Sequence, residues 1–163
     1  MSEDIQAFID EMDAKMSAKS FRYFFENILG FDYSYHHECW DKGLEENRYY
    51  CVKASRDHGK SVFFMSYALW LAAFNPGKHI MIFSHSLEQT LEHMRFIRNN
   101  IESTSILREL IPQGRPWRKT YFEFANGSRM MAKSVGGGTR GFHPDVVVCD
   151  DILWGTTGTE LQR

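Results

Sequence analysis

The sequence is poor in the features that mark secreted, membrane-spanning or strongly basic proteins. It has three cysteines, which are too few and too far apart for a disulfide framework or a zinc module. No apolar run approaches the roughly 18 residues that would predict a membrane span. The amino terminus, Met-Ser-Glu-Asp, lacks the basic and apolar regions of a secretion signal. We therefore expect a cytosolic protein, with Cys51 and Cys149 as buried thiols inside apolar runs.

The sequence also has no large excess of positive or negative residues. The formal net charge is −2, which does not indicate a nucleic-acid-binding surface, so a DNA-handling protein of this composition would need a local basic face. Core-forming residues are abundant instead, since 43% of the 163 residues are apolar and 15% are aromatic. This length and composition predict one domain of ordinary size.

The predicted elements begin with two amphipathic helices and continue as strand, helix, strand, helix. Their ranges are 3–17, 20–29, 49–54, 60–74 and 79–84, followed by a helix that Ser86 caps, with Gln89 completing a capping box. We expect residues 1–45 to be a helical lead-in whose helices serve packing. The alternation that follows predicts an α/β fold over residues 46–163, with a mostly parallel sheet flanked by helices.

Two further strand signals follow. Asn126-Gly127 predicts a hairpin between residues 121–125 and 128–132, because it supplies the two positive-φ residues of a type I′ turn. The run 146–149 is apolar enough for a central strand, and it ends at an acidic pair, Asp150-Asp151.

Residues 54–61, Ala-Ser-Arg-Asp-His-Gly-Lys-Ser, differ from the P-loop pattern only by Ala54 at the first glycine. In that pattern backbone N–H groups cradle the phosphates, Lys60 reaches the β- and γ-phosphates, and the Ser61 hydroxyl binds Mg²⁺. The alternative is an ordinary helix start with a surface lysine. The predicted nucleotide contacts are Ser55, Arg56, Asp57, His58, Gly59, Lys60 and Ser61.

The acidic pair would supply the other half of such a site. A Mg²⁺-bound nucleotide needs a carboxylate at the end of a neighbouring buried strand, and Asp150 would hold that Mg²⁺ shell. Asp151 would orient and activate the attacking water. The alternative is a helix N-cap after a strand, for which aspartate is also suited.

Two arginines are candidates for stabilising the negative charge that develops on the γ-phosphate. Arg56 lies inside the P-loop, and Arg140 follows three glycines. Either could act as an arginine finger, in cis or in trans, and the alternative for each is a surface salt bridge.

In this order, the features resemble the N-terminal ATPase domain of the large terminase subunit of tailed bacteriophages, the motor that packages viral DNA. The resemblance covers roughly residues 20–155. It rests on Ser55-Arg56-x-x-Gly59-Lys60-Ser61, Ile82–Ser86, Phe124–Ser128, Gly138–Asp145 and Val146–Asp151. It implies a P-loop NTPase of the additional-strand, RecA-like type that uses ATP and Mg²⁺ to translocate double-stranded DNA into a procapsid.

The resemblance also implies roles and partners. Arg56 would sense the γ-phosphate, and Arg140 would reach a neighbouring subunit's ATP. The family often has a glutamine that contacts adenine, and His36 or His37 lies at about that place here. The implied partners are double-stranded DNA, a portal protein, the small terminase subunit and further copies in a homo-oligomeric ring, in the host cell cytoplasm and away from membranes.

The chain departs from the family after the acidic pair. Family members continue with a strand that carries a coupling motif, and Thr157-Gly158-Thr159 resembles that motif but follows Asp151 too closely. The family's nuclease domain is missing, so we expect no DNA cleavage. We therefore expect a core that is incomplete at its C-terminus, needs a second polypeptide and hydrolyses ATP poorly alone.

Candidate contacts to the DNA backbone are Arg95, Arg98, Arg115, Arg118 and Lys119. Two other functions stay open. One is another P-loop DNA-dependent ATPase, such as a helicase-like motor. The other is a nucleotide-binding assembly module with little activity alone.

Overall fold

The structure is a computed structural model that describes residues 3–114, 117–136 and 141–152. These residues form a mixed, mostly parallel sheet flanked by helices, which confirms the α/β prediction. The helices are α1 (Glu3–Lys19), α2 (Phe21–Tyr23), a π-helical turn (Phe24–Ile28), α3 (Tyr35–Glu46), α4 (Lys60–Phe74), α5 (Leu87–Ser103) and a 3-10 helix (Ser105–Leu110). The strands are β1 (His79–Ser84), β2 (Tyr121–Glu123), β3 (Arg129–Ser134) and β4 (Val146–Asp150).

The described sheet has the strand order β2-β3-β1-β4. β1 pairs in parallel with both β3 and β4, and β2 pairs antiparallel with β3. In the β1–β4 ladder Ile80 lies beside Val146 and Ser84 lies beside Asp150. Because both strands end at the same edge of the sheet, Asp150 lies where the chain also leaves β1 towards α5.

Helix α4 is the central helix of the core. It is apolar on all sides, and such a helix is stable only when other elements surround it. Its buried residues include Phe63, Leu69 and Ala72. The side-chain amide of Asn126 donates to the carbonyl oxygens of Ala72 and Ala73, at 2.8 and 3.1 Å, and so satisfies acceptors of its last turn. Among the described residues, no helix is long and apolar enough to cross a membrane.

The N-terminal helices pack on α4 through aromatic rings. The Phe63 ring lies 5.1 Å from that of Phe21, 5.8 Å from that of Phe25 and 5.3 Å from that of Trp40, measured between centroids. Edge-to-face and tilted pairs of this kind stabilise a core beyond the area that they bury. The helix that carries Lys60 and Ser61 is therefore anchored from the N-terminal side as well as by the sheet.

The predicted strand at residues 49–54 is wrong. The described structure has no strand there, although Val52 and Ala54 pack against the core. A strand exists only where its backbone N–H and C=O groups pair with a neighbouring strand, and none of the described strands pairs with this segment. Local β-propensity could not supply that neighbour.

Helix α1 packs on the rest of the protein, but not through its apolar face. The apolar side chains are 37–64% exposed, and they are Ile5, Phe8, Ile9, Met12 and Met16. The opposite side of the helix faces the core, where Ser17 is fully buried and its carbonyl oxygen accepts from Trp70 Nε1 at 2.7 Å.

Two predictions about the later strands are also wrong. Cys149 is exposed because β4 lies at one end of the described sheet and buries only alternate residues, and Cys51 is exposed in the segment 49–54, which forms no strand. The turn of the β2–β3 hairpin is not type I′, since only Gly127 of the Asn126-Gly127 pair has a positive φ. The turn is closed by the Gly127 N–H donating to the Phe124 carbonyl, which leaves the Asn126 side chain to reach α4.

Candidate nucleotide-binding site

Two distant segments of the chain meet between the first turn of α4 and the end of β4. The Ser61 hydroxyl donates to Asp150 Oδ2 at 2.7 Å, across 89 positions of sequence. Ser61 is placed by the start of α4 directly after Gly59, and Asp150 by the parallel ladder with β1. The structure thus brings together the serine of the P-loop pattern and the first aspartate of the acidic pair.

Asp150 is a buried carboxylate, 6% exposed, and three side chains surround its Oδ2 atom. Besides Ser61, His93 Nε2 lies 3.0 Å away and Gln89 Nε2 lies 3.5 Å away. The distance between His93 and Asp150 is that of an ion pair, but the N–H of His93 does not point at Oδ2 as a hydrogen bond requires. Burial raises the pKa of Asp150, but His93, Ser61 and the charge of Lys60 outweigh it and hold the pKa below 3.8.

The loop before α4 is closed by Lys60. Its ammonium group donates to the carbonyl oxygens of Ala54 and Ser55, at 3.0 and 2.9 Å. Asp57 and Gly59 have positive φ values of 64° and 71°, so the loop turns sharply before the helix begins. His58 Nδ1 lies 3.0 Å from the Arg56 carbonyl oxygen, and the remaining predicted loop contacts, Ser55, Arg56 and Asp57, are exposed.

The start of α4 is open to an anion. Its N-cap is Gly59, and among the described residues no side chain caps the N–H groups of the first turn. These groups have no partner inside the helix, and the helix dipole makes this end partly positive. Together with the Lys60 ammonium, this geometry is suited to a phosphate group.

His37, the predicted adenine contact, lies beneath the loop and is buried. Its ring stacks on Phe63, with centroids 5.2 Å apart and planes 8° apart, and its Nε2 would be 3.5 Å from a Cβ built on Gly59. His37 Nδ1 accepts from the Ser34 N–H, and His36 Nε2 lies 3.1 Å from His37 Nε2. The pKa of His37 is lowered, mainly by its burial and to a smaller extent by the neighbouring His36. The adenine role stays a prediction.

The other predicted residues divide into described and undescribed ones. Asp151 is exposed, with a φ of 49° that aspartate tolerates better than most residues. Arg140 and the segment Thr157–Thr159 lie outside the described residues, as does Arg115. Their roles stay predictions.

Of the candidate DNA contacts, Arg98 makes contacts within the fold. Its guanidinium donates to the Trp117 carbonyl at 3.2 Å and lies 5.3 Å from the centroid of Phe122. Arg118 is exposed instead and lines a groove of about 870 Å³ beside the β2–β3 hairpin, together with Arg129 and Lys133. The groove is also lined by Gly141 and Phe142, which come shortly before β4 in the chain.

Sequence analysis did not place Gln89 and His93 beside Asp150; it predicted that Gln89 completes a capping box, but the Gln89 side chain contacts Asp150 instead. Gln89 and His93 are four residues apart on α5 and therefore face the same way, towards the edge where β1 and β4 end. His93 also lies among the buried positions of α5, next to Met94. A polar, titratable residue on the buried face of the helix after β1 was the available signal.

Within the described part of the chain, no cluster of three or more His, Cys, Asp or Glu side chains could hold a metal ion. A scan against protein-family models finds no match to the chain, and a search of curated proteins finds no similar sequence.

Proposed function

We propose that this chain binds ATP with Mg²⁺ and hydrolyses it as the ATPase part of a viral DNA-packaging terminase. The observation that carries the proposal is the 2.7 Å hydrogen bond from Ser61 to Asp150. Because the hydroxyl hydrogen points to the carboxylate, the lone pairs of the serine oxygen are left for a cation. A P-loop ATPase uses its serine and strand-end aspartate in this way.

The residues present fit a magnesium ion. Mg²⁺ prefers oxygen ligands and is usually held by one or two carboxylates together with substrate phosphates and water, not by an all-protein cage. Ser61 and Asp150 supply a hydroxyl and a carboxylate of that kind, so the lack of a larger ligand cluster among the described residues agrees with the proposal. When bound, the ion would neutralise charge on the phosphates.

The loop and the open start of α4 would hold the phosphates. The Lys60 ammonium would exchange the carbonyl oxygens of Ala54 and Ser55 for phosphate oxygens. Asp151, exposed beside the site, would orient the attacking water. Arg56 and Arg140 would answer the charge that develops on the γ-phosphate.

Nucleotide binding and phosphate release by the purified chain test the first part of the proposal. We expect a fluorescent ATP analogue to bind to the chain. Lys60→Ala should weaken this binding at least tenfold, which is a loss of about 1.4 kcal/mol or more in binding free energy. The same substitution should abolish hydrolysis. Lys42→Ala is the matched control, because it removes an exposed ammonium whose ion-pair partner, Glu46, lies on its own helix. Equal binding by all three proteins would refute the nucleotide site.

Stimulation of hydrolysis by nucleic acid tests the motor part. Contacts to phosphates without base readout predict stimulation by duplex DNA of any sequence that falls as salt rises. We expect Arg118→Glu to reduce the DNA-stimulated rate and to leave the basal rate intact. Preference for single-stranded DNA would favour the helicase-like alternative. Binding to a portal ring or to a small terminase subunit would support packaging.

A second candidate function is a nucleotide-binding assembly module with little turnover alone. It is favoured by residues 49–54, which precede the loop but join no strand in the described structure. Nucleotide binding with no phosphate release, with or without duplex DNA, would favour this candidate.

A further inference from the structure

The inward face of α5 touches the proposed site at a single atom. The Ser61 hydroxyl donates to Asp150 Oδ2 at 2.7 Å, and two side chains of α5 approach the same atom, Gln89 Nε2 at 3.5 Å and His93 Nε2 at 3.0 Å. None of these contacts involves the other carboxylate oxygen, Oδ1. The carboxylate is thus held on one side by α4 and α5, and Oδ1 is left for other ligands.

The His93 side chain is 10% exposed and its Nε2 atom is buried. A buried imidazole is costly unless a polar group compensates it, and Asp150 is the partner that lies within reach of Nε2. The first turn of α5, from which His93 follows, is fixed by its own hydrogen bonds, since Ser86 accepts from the Gln89 N–H and Thr90 Oγ1 donates to the Ser86 carbonyl.

We propose that His93 is a positioning residue for Asp150: it holds the rotamer in which Oδ2 accepts the Ser61 hydrogen bond, so that Oδ1 would stay available to a magnesium ion. This inference rests on the proposed function. Without His93 the carboxylate would be held by Ser61 and by the longer Gln89 contact, and it could turn both oxygens away from the ion. Groups that orient metal ligands in this way typically change metal affinity about 10- to 100-fold when removed.

Two substitutions separate positioning from packing. His93→Leu fills a similar space without a donor, and His93→Gln places an amide nitrogen near the position of Nε2. His79→Leu is the control, because His79 is a half-buried histidine at the opposite end of β1. All variants are first compared by circular dichroism and thermal unfolding.

The first measurement is binding of a mant-labelled ATP to the full chain, in EDTA and then across a Mg²⁺ titration. We expect His93→Leu to raise the half-saturating Mg²⁺ concentration about tenfold and to change metal-free affinity less than twofold. His93→Gln should recover most of the loss, and His79→Leu should resemble the unaltered chain. An unchanged Mg²⁺ dependence in His93→Leu would overturn the inference, as would an equal loss with and without Mg²⁺.

The second measurement needs no nucleotide. A double-mutant cycle of His93→Leu and Asp150→Asn in urea unfolding should show coupling of at least fivefold in the unfolding equilibrium constant. Additive effects would refute the His93–Asp150 contact by themselves. The cycle could show coupling while the unaltered chain binds no ATP. That result would refute the proposed function, and with it the proposed role of His93 in magnesium binding.

Discussion

Helices α4 and α5 both begin at the site, yet their first turns are built differently. α5 starts at Ser86, whose hydroxyl accepts from the Gln89 N–H at 3.2 Å. α4 starts at Gly59, and among the described residues no side chain caps its first turn. The first-turn N–H groups of α5 are therefore capped by a residue of its own sequence, whereas those of α4 have no side-chain cap.

This difference separates a structural helix start from one that is suited to a ligand. A serine cap satisfies a donor that would otherwise need water, and it stabilises the helix. Glycine contributes no such group, but it allows the positive φ of 71° and lets another group approach the backbone closely. The two helix starts meet at Asp150, which accepts from Ser61 of α4 and lies beside Gln89 of α5.

The largest effect should come from the residue that joins the two helix starts. Asp150→Ala removes the acceptor of the Ser61 hydroxyl and the carboxylate that lies 3.0 Å from the buried Nε2 of His93, so we expect the free energy of unfolding to fall by about 3 kcal/mol. Asp151→Asn, at the exposed neighbour, should change it by less than about 0.5 kcal/mol. Urea denaturation measures both. Equal losses would mean that Asp150 does not connect α4 and α5.

The open start of α4 is tested next by Gly59→Ala. A positive φ costs an alanine about 1–2 kcal/mol, so stability should fall by that amount, and ATP affinity should fall as well. Gly77→Ala is the matched control, because Gly77 has a φ of 79° and nothing within 4 Å of a new Cβ. It should lose similar stability and no ATP affinity. A loss of affinity in both variants would attribute the effect to strain alone.

The closed start of α5 is tested by Ser86→Ala. Removal of the cap should lower the free energy of unfolding by about 1 kcal/mol and should leave metal-free ATP affinity unchanged. Ser86→Gly should cost only a few tenths of a kcal/mol, since glycine is also accepted at this position. If Ser86→Ala instead weakened metal-free ATP binding as strongly as Gly59→Ala, the distinction between the two helix starts would be lost.

The smallest effect should appear in the pH dependence of stability. The pKa of Asp150 is held below its ordinary value of 3.8, so the unfolded chain binds the proton more readily than the folded one. The stabilisation is therefore complete above that value and is lost as pH falls through the folded pKa. Asp150→Asn should flatten this part of the stability curve in acid urea titrations. An unchanged slope would show that Asp150 does not titrate as proposed.

Local sequence signals predicted the elements whose boundaries depend on single residues. The ranges 60–74 and 79–84 were predicted and are those of α4 and β1, because Gly59 and Asn75-Pro76-Gly77 interrupt the chain at fixed points. Ser86 was predicted as a cap and accepts the expected bond. Strand 49–54 failed because a strand depends on a partner that propensity cannot provide.

The candidate site was predictable in part for the same reason. Ser61 and Asp150 belong to short patterns whose residue types fit a nucleotide and a metal ion, so both could be named before their contact was known. His93 belongs to no such pattern, and Gln89 was predicted only as a capping-box residue. Their importance comes from the direction in which α5 crosses the sheet, and that direction is fixed by packing.

The sequence by itself determined which backbone positions turn, start or stop an element, and which residues could bind phosphate. Those properties depend on side-chain chemistry and on neighbours within a few positions. Only the tertiary structure decided that Ser61, 89 positions before Asp150, would donate to it, that His93 would complete its surroundings, and that the apolar face of α1 would stay exposed. Those outcomes depend on which surfaces meet when the helices pack on the sheet, and no local pattern encodes that meeting.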